Sequence, residues 1–318
     1  MVENKALTPQ EVADILKISK STVYDLMKRR ELNAYRVGKK LRVDLEDVEN
    51  YKNKTKDARP LSTFSPEPSK LVSSPIYEEA NDKPSSFIIS GQDVILDILC
   101  RYLDRHPKGV RALRSHEGSY NAIYALYQGE VQVATAHMWD GKTGEYNVPY
   151  IERMLPGTPT VVIRLASRMQ GFYVAKGNPK KINDWNDLRR SDITIINREK
   201  GSGTRILLDE HLRKMGISGR FINGYIRESQ SHLAIASTVA RGDADLGIGN
   251  EKASLQVQGI DFIPIQEEQY DMIIKKEDLN HPAFEAIFEI IRSDEFRFEL
   301  QGLGGYGLAE LGKIIAET

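Results

Sequence analysis

Residues 196–205, Ile-Asn-Arg-Glu-Lys-Gly-Ser-Gly-Thr-Arg, close an apolar run against a glycine-punctuated turn, and a helical pattern follows to about Met215. Ile193 to Asn197 reads as a strand. A helix that starts at such a turn exposes unpaired N–H groups at the positive end of its dipole, and anions bind there. The glycines let the backbone approach a ligand closely, the hydroxyls of Ser202 and Thr204 add donors, and Arg205 adds charge. Ser202, Gly203, Thr204 and Arg205 are therefore candidate ligand residues. The bland alternative is a capped helix with a surface arginine. A Walker-type phosphate loop is excluded, because its Gly-Lys-Ser/Thr spacing is absent.

The same alternation repeats outward on both sides. Phe87-Ile88-Ile89 is a strand ending at Ser90-Gly91-Gln92-Asp93, before a helix to about Arg105. Val110 to Arg114 is a second strand, with His116-Glu117-Gly118-Ser119 leading into a helix over Tyr120–Gln128. Val131 to Ala136 is a third, ending at His137-Met138-Trp139-Asp140. Beyond the central turn come a helix over Ser229–Arg241, a strand over Asp245–Gly249, and helices over 282–300 and 307–316. Such alternation defines an α/β domain, whose turns gather at the carboxyl edge of the sheet where ligands bind. Two long extended stretches, Thr160–Ala175 and Phe262–Lys275, cross between two halves, so the domain is bilobed with its ligand in the cleft. Ser90, Gly91, Gly118 and Ser119 offer further small donors, and His137 stands at the third turn, with a structural role as its alternative. Small donors from both lobes suit a tetrahedral oxyanion. Gly302 to Gly307 spells GxGxxG but follows a helix near the last residue, leaving no room for the βαβ unit of a dinucleotide site.

The motifs SGQD (90–93), GSYNAIYAL (118–126), ATAHMWD (134–140), INREKGSGTR (196–205) and ARGDADLGIGNE (240–251) resemble the substrate-binding domain of molybdate-type periplasmic proteins. The branch they are similar to is one found fused to helix-turn-helix modules. The resemblance covers 86–318 and implies molybdate or tungstate as the effector. No metal-ligand cluster, nucleophile elbow or Ser–His–Asp set emerges, so the domain is expected to bind rather than catalyse, without a cofactor.

The other end of the chain is built differently. Residues 1–56 hold 13 Lys+Arg against 9 Asp+Glu, a net of +4, which leaves −5 for the remainder of a chain of net charge −1. Between 17 and 42 nine basic residues face two acidic ones, Asp25 and Glu31. A basic module on a faintly acidic body points to a polyanionic partner at that end alone. Thr8-Pro9-Gln10-Glu11 is a capping box with proline at the first helical position, and Val12, Ile15 and Leu16 give that helix an apolar face. Ser19 caps a second helix, Lys20 to about Arg30, with Val23, Leu26 and Met27 inward and Lys20, Ser21, Thr22, Tyr24 and Lys28 outward. Two helices joined so tightly form a helix-turn-helix, whose second helix enters the major groove. Asn33 to Val43 then reads as two strands around Gly38-Lys39-Lys40, a wing carrying Arg36, Lys39, Lys40 and Arg42 to neutralise phosphates. Asp44 caps a third helix, Leu45 to Tyr51. Over 6–52 the pattern resembles the excisionase-type winged helix-turn-helix, related to the MerR family, and implies DNA as partner.

The chain is therefore expected to be multidomain: a small, mainly α winged helix-turn-helix (1–54), a Pro/Ser-rich linker (55–85) and a bilobed α/β periplasmic-binding-protein-like domain (86–318). The single cysteine, Cys100, sits in an apolar run and reads as core. The chain begins with no apolar signal region and nowhere offers ~20 consecutive apolar residues, so a cytoplasmic protein without membrane contact is expected. The expectation is a ligand-responsive transcriptional regulator acting as a homodimer. The alternatives are a sensor of another small anion or of a molybdopterin-pathway metabolite, and an architectural or recombination accessory protein.

Overall fold

The computed structural model describes residues 6–28, 32–37, 40–45, 47–49, 51 and 86–318. The chain divides into two units, one ending by residue 80 and one beginning at 81. The Pro-rich stretch 55–85 lies outside the described residues.

In the N-terminal unit Thr8 closes a reciprocal capping box with Glu11 and starts helix α1 (Pro9–Leu16). Lys17, in the left-handed region at φ 53°, ends it. Helix α2 (Lys20–Lys28) follows after three intervening residues, with the Ser19 hydroxyl accepting from the Thr22 N–H. Strand β1 (Ala6–Leu7) pairs with β3 (Lys40–Asp44), which pairs with β2 (Tyr35–Val37), so the wing is a three-stranded antiparallel sheet. Residues 45, 47–49 and 51 are helical. Val12, Val23, Leu32, Val43 and Val48 form the core. Ile15, expected to face inward, is instead 37% exposed, because Ala13 takes the buried place beside Val12.

In the C-terminal unit one mixed sheet runs β5-β4-β6-β11-β7-β10-β8-β9. In sequence these are β4 (Phe87–Ser90), β5 (Ala112–Ser115), β6 (Val133–Ala136), β7 (Thr160–Ala175), β8 (Ile195–Arg198), β9 (Glu228–Ser229), β10 (Leu246–Asn250) and β11 (Ile260–Lys275). Strands β4, β5 and β6 are parallel and carry the first lobe. Strands β8, β9 and β10 are parallel and carry the second. The 16-residue strands β7 and β11 pair antiparallel along their length and run through both lobes. Their pairing slips at Pro264/Gln266 and again at Tyr270/Asp271; such irregularities bend and twist a ribbon, here where it passes from one lobe to the other.

Helices cover both faces. In chain order they are α3 (Val94–Arg105), α4 (Ser119–Gln128), α5 (Val148–Met154), α6 (Gly203–Lys214), α7 (His232–Ala240), α8 (Glu251–Ser254), α9 (Pro282–Arg292) and α10 (Asp294–Leu303). In the first lobe α3, α9 and α10 bury one face of the sheet around Leu96, Leu99, Phe284 and Phe296. Helices α4 and α5 bury the other around Ile123, Leu126 and Ile151. The fold class read from sequence, a small helix-turn-helix plus a bilobed α/β domain, is the one observed.

Two expectations fail near the C-terminus. The helix over 282–300 is broken at Ser293, whose hydroxyl caps a new helix by accepting from the Phe296 N–H. The segment 307–316 is not helical. Gly307 bridges Ser167, Gly312 turns the chain at φ 80°, and β12 (Ile314–Glu317) adds to β7. Its apolar spacing suits either period; the open flank of β7 decides for strand.

Candidate functional site

Every parallel strand except β6 hands over to a helix at the same edge. Asp93 caps α3, its carboxylate accepting from the Ile95 N–H at 2.8 Å. Gly118 precedes α4 with no side-chain cap. Ser202 caps α6 and Ser231 caps α7. The positive ends of four helices are thus drawn towards one cleft, each worth a fraction of a charge. At its base is a small pocket with about 20 Å³ open to the centre of a water-sized sphere, bordered by Gly91, Ser119, His137, Arg168, Gly203 and His232 among others. A sphere of that volume has a radius of roughly 1.7 Å, or about 3 Å of free space once the ~1.4 Å radius of the water itself is added, more than the single water such a void must minimally hold.

Glycines close the cleft. Gly91, at φ 151°, comes so near Thr135 that a Cβ would lie 1.9 Å from its hydroxyl oxygen. Across the lobes, a Cβ on Gly203 would lie 2.6 Å from His137 Nδ1 and 2.7 Å from its carbonyl, and one on Gly118 would lie 2.8 Å from the Gly201 carbonyl. The Tyr120 N–H donates to that same carbonyl at 2.9 Å. Gly141 N–H donates to Glu210 at 2.8 Å, and Arg198 donates to Gln92 at 2.7 Å. The lobes are shut.

The floor carries a buried ionic cluster on the two crossing strands. Arg168 pairs with Asp93 at 2.5 Å and with Glu268 at 2.5 Å, the latter with the geometry of an ion pair rather than of an aligned hydrogen bond. Its guanidinium lies 4.2 Å from the Tyr270 ring centroid. Glu268 also meets His137 Nδ1 at 2.6 Å and accepts from Gln170 at 2.7 Å. Burial works to raise the Glu268 carboxyl, but Arg168 and His137 outweigh it and hold it below the usual carboxylate range. Arg168 is matched by two acids, so positive potential for an anion comes mainly from the helix termini. Several buried polar atoms in and beside the pocket have no hydrogen-bond partner among the described residues: Ser90 Oγ, Thr204 Oγ1, His232 Nδ1 and Arg168 Nε. An unpartnered buried polar group costs free energy, so each of these atoms is a donor or acceptor with hydrogen-bonding capacity left over.

The structure brings Gly91, Gly118, Ser119, His137, Ser202 and Gly203 to the pocket; Ser90 and Thr204 are buried and adjoin Gly91 and Gly203 in the chain, but are not among its lining residues. Arg205 is a correction. Its guanidinium turns into the second lobe, where it pairs with Glu228 at 2.8 Å and Asp209 at 3.1 Å and lies over Tyr225. The Ser202 hydroxyl is likewise committed, accepting from the Arg205 N–H and donating to the Glu199 carbonyl. Sequence reasoning missed Asp93, Thr135, His232, Asn250, Glu268 and Tyr270. Asp93 and Asn250 were signalled by their places at strand ends; Glu268 and Tyr270, on a crossing strand, carried no signal.

Burial lowers the His232 imidazole well below its ordinary value of 6.5, with Arg198, His137 and Arg168 acting the same way. Burial also lowers His211, which is stacked between Trp139 and Trp185 at ring separations of 4.5 and 3.9 Å. Both are neutral when folded and bind a proton more readily when unfolded. Their contribution is full above about 6.5 and is lost as pH falls towards the folded values. The melting temperature of the C-terminal unit is expected to drop between pH 7 and pH 5, and His232→Asn to flatten that drop. An unchanged slope would contradict the buried, neutral assignment.

In the N-terminal unit Lys20, Ser21, Thr22, Tyr24 and Lys28 are all exposed on α2. The hydroxyls of Ser21 and Thr22 are held by Ser19 at 2.7 and 2.8 Å. Lys40 is exposed on the wing, and Arg42, half-buried, donates to the Leu41 carbonyl. Lys39 and the side chain of Arg36 lie outside the described residues.

A closed two-lobed cleft lined by helix N-termini defines a periplasmic-binding-protein-like ligand domain, and the comparisons agree. Residues 100–292 match the PBP superfamily domain and residues 6–56 match a helix-turn-helix domain; the chain belongs to the PBP superfamily domain family. It is 42% identical over 318 residues, all of both chains, to the Bacillus subtilis (strain 168) protein YvgK, itself uncharacterised. An uncharacterised protein encoded in the 5′ region of a Clostridium pasteurianum 2Fe-2S ferredoxin gene is 61% identical over 112 residues, 35% of this chain and 99% of that one. Among solved structures, a Clostridium perfringens protein assigned as a phosphate ABC transporter substrate-binding protein, with bound phosphate, aligns at TM-score 0.52 and 17% identity. That alignment covers 70% of this chain and 98% of the other, a likeness of fold alone. The helix-turn-helix points to DNA binding and the larger domain to a small ligand. Among the described residues no helix is long and apolar enough to cross a membrane, and no group of three or more His, Cys, Asp or Glu is placed to hold a metal.

Proposed function

We propose that the protein is a one-component transcriptional regulator whose C-terminal cleft closes on a tetrahedral oxyanion and whose N-terminal module binds DNA as part of a homodimer. The observation that carries the ligand reading is the small pocket at the convergence of four helix N-termini, with the unpartnered His232 in its lining and the unpartnered Ser90 and Thr204 next in sequence to lining residues Gly91 and Gly203. Oxyanions accept hydrogen bonds from every side, which suits donors arriving from both lobes. Molybdate and tungstate are the first choice, on the resemblance of the cleft motifs to molybdate-type proteins. For the effect to be allosteric the anion must favour one arrangement of the protein over another.

Calorimetric titration of the full chain with molybdate, tungstate, sulfate and phosphate tests the proposal. Selective binding that weakens in Ser90→Ala and Thr204→Val supports it; heat from none of the four removes the oxyanion from the account. On the DNA side, Lys40→Ala is expected to weaken binding evenly across sequences. It should lower the slope of log affinity against log salt by about 1. A loss confined to one DNA sequence would give Lys40 a base-reading role instead.

A further inference from the structure

Beside the small pocket lies a chamber, partly open to solvent, of about 700 Å³ on the same measure, and the two share Gln92, Asp93, Glu117, Gly118, His232 and Asn250 as lining. A bare tetrahedral anion fills a few tens of cubic ångströms, whereas sites of several hundred hold metabolite-sized organic ligands. The chamber remains although the lobes already touch through Tyr120 and Gly201 and through Arg198 and Gln92, so it is a property of the shut form.

Its walls are chemically specific. Asp97 is paired with Arg114, Glu199 with Arg198 and Asp93 with Arg168, which leaves Glu117, accepting only from the Asn121 amide, as the lining carboxylate with no cation partner among the described residues. Lys252 lies over the Tyr306 ring at 4.1 Å, has no carboxylate partner among the described residues, and has its ammonium pKa lowered by burial. Gln230 and Gln256 line the second lobe beside it. Lys252 covers Tyr306, so the walls favour hydrogen bonding over the stacking of a flat ring.

We infer that the effector is a substituted oxyanion: a monoester whose anionic head occupies the small pocket and whose polar organic part extends into the chamber towards Lys252 and Gln230. This inference rests on the oxyanion reading of the small pocket and departs from it on one point: the effector is a substituted anion in place of a bare molybdate or tungstate ion, which then serve as head-group probes. Orthophosphate and its monoesters share one head group, so they isolate the contribution of the chamber.

The test is calorimetric titration of the full chain with orthophosphate, glycerol 3-phosphate, phosphoethanolamine and AMP, with tungstate as a bare-anion control. At least one monoester is expected to bind about tenfold or more tighter than orthophosphate, an advantage equivalent to one or two well-made polar contacts. Lys252→Ala and Gln230→Ala should remove that advantage while leaving the affinity for any bare anion unchanged. Tight tungstate or orthophosphate binding with every monoester equal or weaker would overturn the inference and leave the oxyanion sensor standing. Binding of none of the five would overturn both. Thermal melts of the two variants, matching the parent, exclude misfolding as the cause of a loss.

Discussion

Gly203→Ala is expected to prop the cleft open and to weaken ligand binding roughly tenfold to a hundredfold. The added methyl would stand 2.6 Å from the His137 ring and 2.7 Å from its carbonyl, on the opposite lobe. One of these obstacles is backbone and cannot swing aside. Forcing an extra methyl into a packed contact costs about 1–3 kcal/mol, and here the chain escapes most of that by separating its lobes. The folded state should therefore keep its melting temperature while the closed population falls. Amide exchange gives a readout that needs no ligand. The N–H of Tyr120, bonded to Gly201, and that of Gly141, bonded to Glu210, become faster to exchange once the lobes part. If the variant keeps both protected and binds as the parent does, closure does not depend on that contact. Gly118→Ala, whose methyl would meet the Gly201 carbonyl at 2.8 Å, should act in the same direction.

Arg168→Met carries the largest stability effect. It leaves Asp93 and Glu268 buried without the guanidinium that pairs with both, and Glu268 has a side-chain exposure of only 1%. Breaking a buried pair from one side typically costs about 3–5 kcal/mol, which for a domain of this size lowers the melting temperature by roughly 6–20 °C. Adding Glu268→Gln should restore part of the loss, because the burden is an uncompensated charge rather than a cavity. A loss under about 1 kcal/mol in thermal or urea unfolding would mean that the cluster is hydrated or rearranges freely.

How much of this was legible follows from the range of the interactions. Local features were plain in the sequence. Thr8 and Glu11 close their capping box three residues apart, and the strand-to-turn handovers at Ser90 and Gly118 sit where the alternation places them, whereas Ser202, read as a ligand donor, spends its hydroxyl on capping the helix it precedes. Contacts made across a hundred residues were not. Arg168 meets Glu268 because β7 and β11 pair in one register, and nothing within either segment announces that partner. Arg205 was misplaced for the same reason. Its neighbours in sequence suggest a cleft, but Asp209 one helical turn on and Glu228 on β9 draw it inward. The 307–316 segment shows the complementary limit: an apolar spacing compatible with a helix becomes a strand once β7 offers an open flank.

The most direct test of the central claim is a crystal of the full chain grown with tungstate, whose anomalous scattering locates the metal independently of any phasing model. One strong tungsten peak is expected in the small pocket, within hydrogen-bond reach of donors contributed by both lobes, with His232 no longer unpartnered. Tungsten found only on the outer surface, with water in the small pocket, would contradict it.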